Sequence, residues 1–247
     1  MAPDDGEHAQ SSINRSDQEN LDILPGDATL TEDLALSLLK RPDLPAGALE
    51  RLGKNGAVLK YRKVKLALVV HSRTPRHTSL PLVRQLYTLD LMQVALRPTV
   101  PADLKRVADE ALCNRLETIS SGEKLTLAHR ASGRVAAELL RDGETPVVHA
   151  ALENPRLTES FIVRALMRPN APASLVEAVC HHPRWSLRRE VRVALLRTEK
   201  TPMARALEFA RTMPAAQVRE ILQNSRLPGN VKAYLLAYVE KRTSGKG

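Results

Sequence analysis

Apolar positions along this chain fall in short runs at helical spacing, separated by polar breaks that repeat a common wording. A run closes on an apolar pair, Lys or Arg follows, and a few loop-forming residues lead to a Pro before the next run. The wording occurs as Leu38-Leu39-Lys40-Arg41-Pro42-Asp43-Leu44-Pro45, Ala95-Leu96-Arg97-Pro98-Thr99-Val100-Pro101 and Leu139-Leu140-Arg141-Asp142-Gly143-Glu144-Thr145-Pro146. It returns as Leu166-Met167-Arg168-Pro169-Asn170-Ala171-Pro172 and Leu195-Leu196-Arg197-Thr198-Glu199-Lys200-Thr201-Pro202, with a divergent copy from Leu222 to Pro228. Each copy predicts a helix end, a turn, and a Pro in the first turn of the next helix, where its missing N–H costs nothing. Pro146, Pro172, Pro202 and Pro228 are 26, 30 and 26 residues apart. That period is one helical hairpin per repeat, stacked on its neighbours.

The runs place the elements. Thr29 or Thr31 caps a helix carrying Leu34, Leu38 and Leu39, with Glu32 and Asp33 in its first turn. A helix with Leu49 and Leu52 follows Pro45 and stops between Gly53 and Gly56; Lys60 to Val70 is basic at its start and apolar at its end. Runs at Leu80–Leu86 and Leu89–Leu96 precede a strong helix from Pro101 to Leu116, whose Leu104, Val107, Ala108, Ala111, Leu112 and Leu116 keep to one stripe. The 45 residues from Pro101 to Pro146 exceed one unit and predict an extra hairpin or an eroded repeat. From Gly122 onward nine short helices alternate as first and second members of pairs. The expected organisation is a leader over 1–28, irregular hairpins over 29–121 and regular repeats over 122–247. None of the predicted helices is long enough to be stable alone in water, so stacking has to hold them.

A second wording marks the turn inside a pair: Thr74-Pro75-Arg76, Ser132-Gly133-Arg134, Asn154-Pro155-Arg156, His182-Pro183-Arg184 and Asn224-Ser225-Arg226. Arg156 and Arg184 are 28 residues apart, one repeat, and equivalent places in a stack of repeats line up in rows. Such a row has two readings. Guanidinium groups at helix ends bond neighbouring carbonyls and acids, or they track a phosphodiester backbone or an acidic protein segment.

Pairs of short helices with Asn-Pro or His-Pro turns, followed by segments such as Val191-Arg192-Val193-Ala194-Leu195-Leu196-Arg197 and a Thr-Pro, resemble α-solenoid repeats of the HEAT and leucine-rich-variant kinds. The likeness covers roughly 122–238, and 34–116 fits it loosely. It implies an all-α solenoid of stacked hairpins, and binding more than chemistry: members of the HEAT-like class mostly act as scaffolds and adaptors for proteins. A few bind nucleic acid, the alkylpurine DNA glycosylases among them. The iron–sulfur module that accompanies some leucine-rich-variant proteins needs a cysteine cluster, and the two cysteines here, Cys113 and Cys180, are 67 positions apart.

Composition sharpens the picture. Hydrophobic residues make up 43% of the 247, but aromatics only 3%, so Leu, Val and Ala must pack the interior and few rings remain for base stacking. No apolar stretch approaches the roughly 20 residues of a membrane span, and the Met1 segment lacks a basic start followed by an apolar core. A cytoplasmic protein with reduced core thiols and no membrane association is expected. The formal charge of +9 is divided: up to Asp33 nine acids face Arg15 alone, a net of −8, and the remainder sums to +17. A body this basic attracts anionic partners. The acidic leader, disordered by composition, either screens that field or merely keeps the chain in solution.

Candidate chemistry is sparse. His181-His182 beside Cys180 point in different directions on a helix, and no His-x-x-Glu-His pair joins the other histidines, so turn bonding or exposure is expected and a metal is not. No Gly-x-Ser-x-Gly phrase occurs, and Gly53-Lys54-Asn55-Gly56 is too short for a phosphate loop. Trp185 either staples neighbouring units or serves a glycosylase pocket. The expected function is a non-catalytic scaffold or adaptor without cofactor, holding an acidic protein or peptide on Lys60, Arg62, Lys63, Arg76, Arg134, Arg156, Arg184, Arg188 and Arg189. Nucleic acid is the alternative partner, and DNA glycosylase activity the remoter one. A leader that masks the body has a measurable consequence: removing residues 1–28 lowers the Kd for a polyglutamate peptide in fluorescence anisotropy, whereas a purely solubilising leader leaves it unchanged.

Overall fold

The computed structural model describes residues 30–244, and the leader expected over 1–28 lies outside them. Among the described residues the chain is all α, with sixteen helices and no strand. It divides after Asn114 into two compact units. The first holds α1 (Glu32–Leu39), α2 (Ala46–Lys54), α3 (Gly56–Leu59), α4 (Arg62–Val70), α5 (Arg76–Val83), α6 (Thr88–Leu96) and α7 (Ala102–Cys113). The second holds α8 (Ser121–Arg130), α9 (Gly133–Leu139), α10 (Thr145–Leu152), α11 (Glu159–Met167), α12 (Ala173–His181), α13 (Arg189–Arg197), α14 (Met203–Arg211), α15 (Ala215–Gln223) and α16 (Gly229–Ser244).

Helix starts follow from local chemistry. Thr31, not Thr29, caps α1, its Oγ1 accepting from the N–H of Leu34 at 3.4 Å. Ser120 and Glu123 form a reciprocal capping box on α8, and Ser132 caps α9. Proline stands mostly one place earlier than expected. Pro45, Pro75, Pro101, Pro172, Pro202 and Pro214 are the cap residues of α2, α5, α7, α12, α14 and α15, and only Pro146 lies within a first turn. In the cap place the ring holds the extended backbone that precedes a helix while the proline carbonyl accepts the first helical bond, as from Ala206 at 2.9 Å to Pro202. Pro81 sits inside α5 and withholds a donor from its hydrogen-bond ladder.

In the second unit most helices pack on the next but one. α8 meets α10 and α10 meets α12, while α9 meets α11, α11 meets α13 and α13 meets α15; α14 meets α16. Two interleaved layers result, an arrangement compatible with a helical repeat, with Leu127, Val135, Val148, Leu152, Ile162, Leu166, Leu175, Val179, Val191 and Leu195 fully buried between them. Each such side chain contributes roughly 1.5–3 kcal/mol on leaving water, which helices of seven to ten residues need because their own nucleation is unfavourable. The first unit alternates likewise, α1 with α4, α2 with α5, α4 with α6 and α5 with α7, the one-turn α3 being inserted into the register. Three helices, α7 to α9, lie wholly between Pro101 and Pro146, and α8 packs on α9.

Between hairpins, side chains of one repeat bond the carbonyls that end a helix of the repeat before it. Asn154, fully buried, donates from Nδ2 to the carbonyls of Ala128 at 2.7 Å and Ala131 at 3.2 Å, while its Oδ1 accepts from the N–H of Arg156 at 2.8 Å. His71 repeats the device: its ring accepts from the N–H of Arg73 at 3.2 Å and reaches the carbonyl of Arg41 at 2.9 Å. Ser225 does so after α15, accepting from Leu227 and donating to Leu196 at 2.6 Å. That last turn follows the second helix of its pair when pairs are counted from α8, so Asn224-Ser225-Arg226 belongs with the turns between pairs, not inside them. Thr198 to Leu166, Lys200 to Ala171 and Arg242 to Ala210, Arg211 and Met213 extend the series. Replacing Asn154 with Ala is expected to remove about 3 kcal/mol, one net hydrogen bond at a time, read as a lowered midpoint of thermal unfolding.

Candidate functional site

The nine basic residues singled out by the sequence divide by what holds them. Arg62, at the start of α4, makes a paired contact with the buried Asp90 of α6, Nε to Oδ2 at 2.6 Å and Nη2 to Oδ1 at 2.8 Å, and lies over the ring of Tyr87. That bond to the carboxylate raises the guanidinium's already high pKa further. Arg76 pairs with Asp103 of α7 at 3.0 Å. Arg156 donates to the carbonyl of Arg130 at 3.2 Å, at the end of α8, where a cation also meets the negative end of the helix dipole. Arg184 stacks over Trp185 at 4.2 Å. Arg62, Arg76 and Arg156 tie elements together within their units, while Arg184 rests on its chain neighbour.

The others stand differently. Lys60 follows α3 and lies over the ring of Tyr61 at 5.0 Å, and Lys63 is exposed on α4. Arg188 and Arg189 are exposed at the start of α13, next to Leu187, which is 67% exposed. None of these four has a carboxylate partner among the described residues. Arg134 is exposed on α9 and lines a cleft described below. In the turn after α4 the arginine that reaches back to an earlier backbone is Arg73, which donates to the carbonyl of Asp43 in the α1–α2 loop at 2.7 Å, while Arg76 already belongs to the next helix. The signal for Arg73 is its place two residues after His71, as Arg156 follows Asn154 and Arg184 follows His182.

Two clefts open on the second unit. One, of about 340 Å³, lies between α10 and α12 and is lined by Thr145, His149, Ser174, Glu177 and His181. The other, of about 350 Å³, lies between α9 and α11, with Arg134 and Glu138 on one wall and Phe161, Arg164 and Arg168 on the other. Its floor is Ala137 and Ala165, short enough to leave the space open. Gly133 sets the approach of α9 to α11, since a Cβ there would run into the carbonyl of Arg156 and stand 3.2 Å from the Phe161 ring. No family model, no curated protein and no solved structure matches the chain, and the HEAT-like likeness therefore rests on its own repeats. No helix among the described residues is long and apolar enough to cross a membrane, and no group of three or more His, Cys, Asp or Glu able to hold a metal occurs among them. Burial pushes the Cys180 thiol up to about 12, which leaves it protonated.

His182 occupies the turn place that Asn154 fills one repeat earlier. Its Nδ1 accepts from the N–H groups of Arg184 at 3.2 Å and Trp185 at 3.4 Å, so the neutral ring carries its proton on Nε2, which faces Glu153 at 3.1 Å. Trp185, 1% exposed, donates from its indole to the carbonyl of Leu152 at 2.8 Å and staples this turn to the end of α10. Burial lowers the His182 pKa, with His149 and Arg184 adding to that effect and Glu153 opposing it. A histidine held below its unfolded value stabilises the fold at high pH. That contribution is lost as pH falls below about 6.5, the unfolded value, toward the depressed folded one. The thermal midpoint is therefore expected to drop between pH 7.5 and 5, and His182→Asn, which keeps an acceptor and a donor without titrating, should flatten that part of the profile.

Proposed function

We propose that the protein is a non-catalytic α-solenoid scaffold or adaptor that holds an acidic protein or peptide on basic side chains left free by the fold. The observation that carries this reading is the division just described. Lys60, Lys63, Arg188 and Arg189 are exposed without an acidic partner among the described residues, whereas neighbouring arginines are spent on carbonyls, carboxylates and rings. Charges left unpaired on a body of net +17 attract anions over the Debye length, about 8 Å at physiological salt. The side-chain bonds spanning one repeat, such as Asn154 to Ala128 and Ser225 to Leu196, support the solenoid.

An acidic polypeptide suits these side chains better than nucleic acid. Aromatics are only 3% of the chain and Trp185 and Phe209 are buried, which leaves Tyr87 and Tyr234 as the exposed rings, few for stacking bases. Arg188→Glu with Arg189→Glu is the decisive variant, because neither side chain has a structural partner and the thermal midpoint should stay where it is. The double variant is expected to raise the Kd for a glutamate-rich peptide at least tenfold in anisotropy, with parent binding weakening as salt rises. An unchanged Kd, or duplex DNA held more tightly than the peptide, would overturn the reading.

A further inference from the structure

We infer that the cleft between α9 and α11 receives a phosphomonoester carried on a side chain of a peptide partner; this deepens the scaffold reading and rests on it for the peptide. Three guanidinium groups, Arg134, Arg164 and Arg168, face this space with a single carboxylate, Glu138. Glu138 takes Arg168 at 3.3 Å inside the cleft and Arg141 at 3.6 Å outside it. Counted formally, the three guanidinium groups and one carboxylate of the lining sum to +2. A phosphomonoester at neutral pH brings about −1.5 to −2 and three acceptor oxygens, whereas one carboxylate brings a single charge. Guanidinium forks fit phosphate oxygens in pairs, and three of them converging from two helices is a phosphate-type donor set.

Space and shape agree with the charge. A cavity of about 350 Å³ exceeds what a bare phosphate fills and has room for the stem of a modified side chain. Ala137 and Ala165 keep the floor low, and Phe161 offers an apolar wall on which that stem can rest while Arg164 is held 5.9 Å from the ring. Arg164 is exposed and serves no helix end, unlike Arg156 in the adjoining turn, which donates to Arg130. Gly133 fixes the walls, since without a Cβ the start of α9 can sit against the Arg156 carbonyl and the Phe161 ring.

The test uses the full chain and a dye-labelled nonapeptide pool with a central phosphoserine in degenerate flanks, beside its unphosphorylated twin and inorganic phosphate. The phosphorylated pool should bind at least tenfold more tightly than either. Arg164→Ala should raise its Kd at least tenfold, and Glu138→Gln, which removes the one opposing charge, should lower it severalfold, both variants keeping the parent thermal midpoint. Equal binding of the two pools, equal binding of inorganic phosphate, or indifference to both substitutions would overturn the inference. Its failure is distinguishable from failure of the scaffold reading: a glutamate-rich peptide that still responds to Arg188→Glu with Arg189→Glu leaves the scaffold standing while the cleft loses its ligand.

Discussion

The hydrogen bond from a turn side chain to the carbonyls that close a helix one repeat earlier is the contact on which this molecule depends. Every helix leaves its last carbonyls without internal partners, and with helices averaging two turns or so such ends are frequent. In a stack of hairpins these ends are covered by the neighbouring repeat and lose access to water, where an unsatisfied carbonyl is costly. Asn154 resolves three groups at once, two carbonyls ending α8 and the N–H of Arg156. His71 and Ser225 perform the same two-sided task with different chemistry. Apolar burial supplies most of the stabilisation, but it is non-directional. These polar contacts are specific to one placement of each hairpin on the last.

That constraint also decides which cations remain for a partner. A guanidinium at a helix end is attracted by the carbonyl dipoles and by acids across the turn, so Arg73, Arg156, Arg226 and Arg242 are committed to backbone oxygens. Arg62 and Arg76 are committed to Asp90 and Asp103. The formal charge of the body therefore overstates the charge that a binding partner meets in short-range contact. What is left sits where no helix end asks for it, at Lys60 and Lys63 around the start of α4, at Arg188 and Arg189 at the start of α13, and at Arg164 in the cleft walled by α9 and α11.

His182 shows the cost of building that contact from a titratable group. Its ring must stay neutral for Nδ1 to accept two backbone donors, and burial against Trp185 keeps it so. Asn154 performs the equivalent task without any dependence on pH. The same fold position thus couples one repeat to acidity and leaves its neighbour indifferent.

The alternation of apolar runs with Pro-marked breaks determined the helical class, the number and order of helices in the second unit and the approximate place of each turn, because period and proline act locally. It left the proline one residue off, since the cap and the first turn suit the ring almost equally. It put Arg76 in a row where Arg73 belongs, and grouped Asn224-Ser225-Arg226 with the wrong set of turns, because wording alone does not say which carbonyl lies across the turn. It assembled nine cations but did not show that Arg62, Arg76 and Arg156 are committed, which depends on Asp90, Asp103 and the carbonyl of Arg130 arriving from elsewhere in the chain. The α9–α11 cleft was invisible: Ala137 and Ala165 are ordinary helical residues until packing sets them opposite each other beneath three guanidinium groups. Local propensity and periodicity are properties of a segment, whereas a cavity and an ion pair are relations between segments, and only the tertiary structure decides those.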